Sequence, residues 1–144
     1  MTDVCEISMH CNEDPEIVEI LNDSERIAVV GISSKPERAS HRVASYLIDA
    51  GYDVIPVNPF QEEVLGRKCY PDLGSIPGEV HIVDIFRRPE DVPPVVDEAI
   101  DIGAKVIWMQ QGIVNNAAAD KALAAGLKVV MNRCIMVEHD RLKN

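Results

Sequence analysis

The segment Arg26 to Ser45, RIAVVGISSKPERASHRVAS, narrows the fold more than any other stretch of the chain. A short apolar run, Ile27 to Val30, stops at Gly31. Polar residues rich in Ser, Lys and Arg follow, and helical periodicity sets in near Ser40. A buried strand that feeds a glycine turn and then a helix start belongs to an α/β architecture. Glycine permits close backbone approach, and the first helical turn leaves amide groups free to face an anion. Lys35, Arg38 and Arg42 stand where that anion would arrive. The segment therefore predicts a site for a phosphate-bearing, nucleotide-like cofactor.

The pattern continues along the chain. Asp14-Pro15 opens a short leading helix whose apolar face is Ile17, Val18, Ile20 and Leu21. Ile27–Val30 is the first strand, and Ser40 to Ala50 is a helix stopped by Gly51. Val54–Val57 is the second strand, and a loop then carries Leu65-Gly66 and Tyr70-Pro71, with a helical turn around Asp72–Ile76. Val80–Phe86 is the third strand, and Val92 to Ile102 a helix that stops at Gly103. Val106–Met109 is the fourth strand. Asn115 or Asn116 caps an alanine-rich helix to Ala125, Leu127–Met131 is the fifth strand, and Cys134 to Leu142 forms a last helical turn or two. Strands that read as continuous apolar runs belong to a parallel sheet covered on both faces. The expected architecture is one doubly wound, Rossmann-like α/β domain over residues 14–144. Its five-stranded, mainly parallel sheet has the order 3-2-1-4-5, and residues 1–13 form a loosely ordered segment ahead of it.

Composition excludes several classes. At 144 residues the chain suits one domain with its own core. A net charge of −10 argues against nucleic acid, whose binding needs a basic face. No apolar run approaches the ~20 residues that span a bilayer, and the acidic N-terminus is not a secretory signal, so the expected location is the cytoplasm. Cys5, Cys11, Cys69 and Cys134 show no framework spacing and read as free thiols. Cys5, His10 and Cys11 match no standard metal site, and no metal is expected. His81 reads as a packed residue of the third strand, His139 as a surface residue, and His41 as a possible helper to an anion at the helix start.

The strand ends form a coherent set. Gly31, Ser33, Ser34, Lys35, Arg38 and Ser40 follow the first strand, and Asn58 and Pro59 the second. Arg87 and Arg88 follow the third, Gln110, Gln111 and Gly112 the fourth, and Asn132, Arg133 and Cys134 the fifth. In a doubly wound sheet these loops share one edge, where ligands bind. Two absences refine the ligand. An NAD site wants G-x-G-x-x-G and an acidic residue ending the second strand, whereas this chain has Gly31 alone and Asn58-Pro59. No P-loop motif is present either. Coenzyme A (CoA), with its pyrophosphate and 3′-phosphate, fits better than NAD.

At this point the motifs resemble a family. Gly31-x-Ser33 with Lys35-Pro36 and Arg38, then Gly51-Tyr52 and Val57-Asn58-Pro59, are similar to the small stand-alone CoA-binding proteins. Those are relatives of the CoA-binding domain of the succinyl-CoA synthetase α subunit. Leu65-Gly66, Phe86-Arg87-Arg88-Pro89, Trp108-Met109-Gln110-x-Gly112-Ile113 and Met131-Asn132-Arg133-Cys134 resemble its later signatures, so the likeness runs from about Pro15 to Leu142. The resemblance implies that Gly31, Ser33, Lys35, Arg38 and Ser40 hold the CoA phosphates. It also implies that Asn58 and Pro59 flank the adenosine, and that the loops after the third and fourth strands shape the rest. The synthetase's phosphohistidine domain and nucleotide-binding subunit have no counterpart in the motifs of this sequence.

Three readings follow. The first is non-catalytic binding of CoA or acyl-CoA, with an unidentified protein partner or a homo-oligomer as further company. The second is an enzyme or subunit acting on an acyl-CoA thioester, through Cys134 or a partner chain. The third is an NAD(P)-type module, which Asn58 disfavours.

Overall fold

A computed structural model describes residues 12–143 of the chain. Helix α1 (Asp14–Asp23) carries Pro15 in its first turn, where the missing N–H costs nothing. Strand β1 (Arg26–Val30) leads through the Gly31 loop into α2 (Ala39–Asp49), and β2 (Asp53–Val57) follows. A hairpin of two-residue strands, β3 (Glu63–Val64) and β4 (Arg67–Lys68), turns on Leu65 and Gly66, both with positive φ. A 3-10 turn (Leu73–Ser75) precedes β5 (Ile82–Ile85), and another (Pro89–Asp91) leads into α3 (Val92–Asp101). Then come β6 (Val106–Met109), α4 (Asn116–Ala124), β7 (Lys128–Val130) and α5 (Ile135–Lys143).

The main sheet has five strands in the order β2-β1-β5-β6-β7, and its neighbours pair in parallel. The doubly wound class is as expected; one detail of the order differs. Counting only the long strands, the third does not lie beyond the second: β5 pairs with β1, Ile27 opposite Ile82 and Val30 opposite Ile85. The order is therefore 2-1-3-4-5. The core explains the difference. Leu73 and Ile76, in the connection from β2 to β5, pack into the same cluster as Val92 and Val96 of α3 and Ala118 and Ala122 of α4. The opposite face of the sheet packs on Ile17 and Leu21 of α1, Val43 and Leu47 of α2, and Ile135 of α5. When the chain reverses its direction along a sheet, right-handed crossovers must change face. The connection out of β2 does so, and it carries β5 back past β1.

Each central strand splits its side chains between the two faces. Val83 and Ile85 of β5 join the α3/α4 side, with Ile107 and Met109 of β6. Ile82, Val106 and Trp108 join the other. Asp84 points to that second side as well, between Val29 and Trp108 in register, and it is fully buried with neither carboxylate oxygen hydrogen-bonded. Burial alone pushes its carboxyl well above the usual range.

The helix starts follow the sequence closely. Asn115 caps α4, its side chain accepting from the Ala118 amide at 3.0 Å. His81 ends up just ahead of β5, where Nδ1 accepts from the amides of Glu25 and Arg26 at 3.1 and 3.0 Å. His139, expected at the surface, is instead buried between α5 and α2, with the Tyr46 hydroxyl 2.8 Å from Nδ1. The helical period of α5 turns it inward with Ile135 and Glu138. The reading of Cys5, His10 and Cys11, and most of the expected loose segment 1–13, lie outside the described residues. Among the described residues no helix is long and apolar enough to cross a membrane.

Candidate functional site

The sheet order creates a crevice. From β1 the chain moves one way to β2, and on the other side of β1 stands β5, so the loops after β1 and β5 part at the carboxyl edge. Ligands of doubly wound sheets bind at such a switch point. Gly31 sits there with φ +88°, its amide donating to the Val57 carbonyl at 2.9 Å. A Cβ on residue 31 would lie 2.2 Å from the carbonyl oxygen of Phe86. Conformation and space both demand glycine at this position.

Beyond Gly31 the loop folds on itself. The Ser33 amide donates to the Ser40 hydroxyl at 2.9 Å, and the Lys35 amide to the Ser33 hydroxyl at 3.1 Å. The Arg38 amide donates to the Lys35 carbonyl at 3.0 Å. Helix α2 then starts with no side-chain cap at Arg38 and no acidic residue in its first turn. Its free amides and positive end face the same opening. The result is a cavity of about 340 Å³ lined by Gly31, Ser33, Lys35, Arg38, Ser40 and Phe86, with Ala39 at its edge.

The charges of this opening stand apart from those elsewhere. Arg26, Arg67, Arg88, Lys105, Lys121, Lys128, Arg133 and Arg141 each pair with a carboxylate. Lys68 lies over the Tyr70 ring, and Lys143 bonds Asn22. Besides Lys143, which meets only that amide, the cations left without carboxylate or ring partners among the described residues are Lys35, Arg38, Arg42 and Arg87. Arg42 hydrogen-bonds only the Glu37 carbonyl, and the Arg87 side chain passes the Gly31 turn, its Cδ 3.4 Å from where a Cβ there would lie. In a chain of net charge −10, three of these, Lys35, Arg38 and Arg42, lie in the loop after β1 and the start of α2, and Arg87 follows β5.

A second cavity, about 360 Å³, adjoins the first. The two share Ala39 and Phe86, and the second reaches Gln110, Ile113, Cys134 and Met136. Gln110 is 5% exposed, and its Oε1 accepts from the Ile135 amide at 3.1 Å. That donor fixes the carboxamide orientation, and no described residue pairs with Nε2.

Other sequence-predicted residues shape the edge without lining either cavity. Asn58 is fully engaged: Nδ2 donates to the Ile32 carbonyl at 2.8 Å, and Oδ1 accepts from the Phe60 amide at 2.8 Å. It ties the end of β2 to the loop after β1. Asn132, with φ +62°, accepts from the Gly112 amide at 2.7 Å and so joins the loops after β7 and β6. Arg88 is turned to Asp91 at 3.0 Å, and Arg133 to Glu138 at 3.0 Å. Ser34 and Pro59 are exposed, beside the strongly exposed Phe60. His41 lies in the first turn of α2 but lines neither cavity. Sequence reasoning missed Phe86 and Ala39 as shared walls. Their signal is position alone: one follows the last residue of β5, the other opens α2.

A cavity larger than these two, about 480 Å³, opens at the opposite edge, between Ile20, Ser24, His81, Ile100 and Leu127. Its lysines, Lys105 and Lys128, are paired with Glu79 and Glu19. It offers an anion neither free cations nor a helix start.

Known proteins share this architecture. A protein of Bacillus subtilis named YneT is 48% identical over 86% of this chain and 92% of its own length. A solved structure of a hypothetical protein from Pyrococcus horikoshii is 50% identical, with a TM-score of 0.90, over 92% of this chain and 94% of that one. Subunit alpha of the ADP-forming acetate–CoA ligase I of Pyrococcus furiosus is 33% identical over 62% of this chain, which corresponds to only 21% of that subunit. Residues 25–140 match the model of the CoA binding domain, and the chain belongs to that family.

Proposed function

We propose that the chain binds CoA or acyl-CoA at the carboxyl edge of its sheet and catalyses no reaction of its own. The phosphates lie in the loop after β1, against Gly31, the Ser33 and Ser40 region, Lys35, Arg38 and the start of α2. The observation that carries the reading is that Lys35 and Arg38, without carboxylate partners, line the cavity at a turn that only glycine can make, with Arg87 beside the turn and Arg42 lining the adjoining cavity. A polyanion gains charge-assisted hydrogen bonds there, and nowhere else on the described surface are cations left unneutralised in a group. The family membership of the chain and the name of the ligase relative supply the same chemistry from outside.

The end of β2 distinguishes the nucleotide. Asn58 offers no carboxylate to a ribose 2′-hydroxyl, and both ends of its amide are already used within the protein. Native mass spectrometry of freshly purified protein tests the ligand directly, by a retained mass equal to CoA. Thermal melting with added ligand tests its choice. CoA near 100 times its dissociation constant should stabilise by ~2.7 kcal/mol, a rise of roughly 5–10 °C, while NAD does little. An equal or larger rise with NAD overturns the assignment.

A further inference from the structure

The reading above places the CoA phosphates beside β1; the sheet order then says where the far end of the molecule goes. From β1 across β5 and β6 to β7 are three steps between neighbouring strands, about 14 Å in all. The pantetheine arm, about a dozen bonds from phosphate oxygen to sulfur, extends about 14 Å at the reach per bond of an extended backbone. Two adjoining cavities lie in that direction: they share Ala39 and Phe86, and the second reaches Gln110 at the end of β6 and Cys134 in the loop after β7.

Two independent features meet at that far end. Gln110 is 5% exposed and lines the second cavity; its Oε1 is held by the Ile135 amide, and its Nε2 has no hydrogen-bond partner among the described residues. An amide donor so placed suits a carbonyl of the pantetheine arm. Cys134 is a free, half-buried thiol on the same wall, whereas Cys69 is buried elsewhere with its sulfur on the Asn58 carbonyl. Ile113 and Met136 give the cavity apolar walls, and Arg42 and Gln111 line it as well.

We infer that Cys134 is where the sulfur of CoA arrives, and that it is a site of reversible thiol–disulfide exchange with the symmetrical disulfide of CoA. The inference rests on the CoA reading of the site. In the exchange, the Cys134 thiolate attacks the nearer sulfur of the bound disulfide. The CoA–CoA sulfur bond breaks, a Cys134–CoA bond forms, and one CoA leaves as thiolate and takes up the proton that Cys134 lost. Nothing is oxidised overall, and a second thiol reverses the step. The nucleotide recognition of the β1 loop makes the reaction selective, because it raises the local concentration of the disulfide beside the cysteine.

The test incubates the reduced, full-length protein with CoA disulfide or, at equal concentration, with pantethine, which has the same disulfide but no nucleotide. Intact mass and peptide mapping follow the product. The expected result is one CoA adduct, mapped to Cys134, forming at least about tenfold faster than the pantethine adduct and losing that advantage in Arg38→Ala. Cys134→Ser should bind CoA by calorimetry and gain no adduct. An adduct on another cysteine overturns the inference. So does equal speed with pantethine, or no adduct on a protein that binds CoA, and in each of these cases CoA binding itself stands. If calorimetry shows no CoA binding at all, the functional reading falls and this inference with it. Peptide mapping on the parent protein decides the site even where the Cys134 variant is unstable.

Discussion

The amide of Ser33 donates to the hydroxyl of Ser40 across seven residues, at 2.9 Å. This bond closes the loop after β1 onto the first turn of α2, and Ser40 is buried as a consequence. Ser40 thus shapes the cleft after β1 from behind, and on the proposed CoA reading the amides of the loop and of the helix start meet the phosphates.

Replacing Ser40 with Ala removes the acceptor and leaves the Ser33 amide without a protein partner. The expected loss is about 1 kcal/mol of stability and about fivefold to tenfold in CoA affinity, since a net hydrogen bond is worth ~0.5–1.5 kcal/mol. Urea unfolding and calorimetric titration measure the two separately. Unchanged affinity in the variant would mean that the loop is held by other contacts.

Asp84 gives the sheet a pH dependence. Its folded pKa is raised by burial above the ordinary 3.8, so between 3.8 and the raised value the folded state holds the extra proton. Stability from this group is therefore full below 3.8 and declines as pH rises toward the folded value, by about 1.4 kcal/mol for each pH unit crossed. Asp84→Val, which suits a strand between Val29 and Trp108, should raise the stability at pH 8 and flatten this decline. Urea unfolding at pH 5 and pH 8 gives the comparison. The same slope in both proteins would refute the assignment.

His139 acts in the opposite sense. It sits edge-on to the rings of Tyr46 and Tyr52, at 5.5 and 5.7 Å between centroids, with Nδ1 2.8 Å from the Tyr46 hydroxyl. Burial first, and then the nearby Lys143, lower its pKa from 6.5. The unfolded chain then binds more protons below about 6.5, so stability falls as pH drops from there toward the lowered folded value. His139→Gln should reduce that loss by about 1 kcal/mol or less, read as the difference in unfolding free energy between pH 7.5 and 5. A variant with the parent's pH profile would show that the α5–α2 contact is insensitive to this proton.

Much of this molecule was legible because its signals are local. Gly31, Gly51 and Gly103 stop elements where expected, Asn115 caps α4, and continuous apolar runs mark the strands of a two-sided sheet. The strand–glycine–helix loop after β1 was legible for the same reason, since its parts lie within twenty residues of one another. What sequence did not reveal depends on tertiary choice. The place of β5 beside β1 follows from which face Leu73 and Ile76 cover, and no local pattern carries that. The engagement of Asn58 and the turning of Arg88 to Asp91 are likewise decided by neighbours in space. So is the inward turn of His139, whose partner Tyr46 lies on another helix.

The cations decide the site. Arg38 precedes α2 at the mouth of the cleft and has no carboxylate partner, so its charge is available to a phosphate. Charge-assisted hydrogen bonds contribute ~1.5–3 kcal/mol each, and Arg38→Ala should weaken CoA binding by roughly tenfold to a hundredfold. Lys35 is exposed in the same loop, and its ammonium is more strongly hydrated and more readily screened by salt, so Lys35→Ala should cost less. Lys121 provides the contrast. It is paired with Asp97, on the side of the sheet covered by α3 and α4, and its replacement should leave affinity nearly unchanged. Raising the salt concentration should narrow the gap between the parent and Arg38→Ala, because screening weakens what the variant already lacks. Calorimetric titration of the three variants at two salt concentrations measures all of this. Parent-like binding by Arg38→Ala together with a loss in Lys121→Ala would move the cofactor away from the loop after β1.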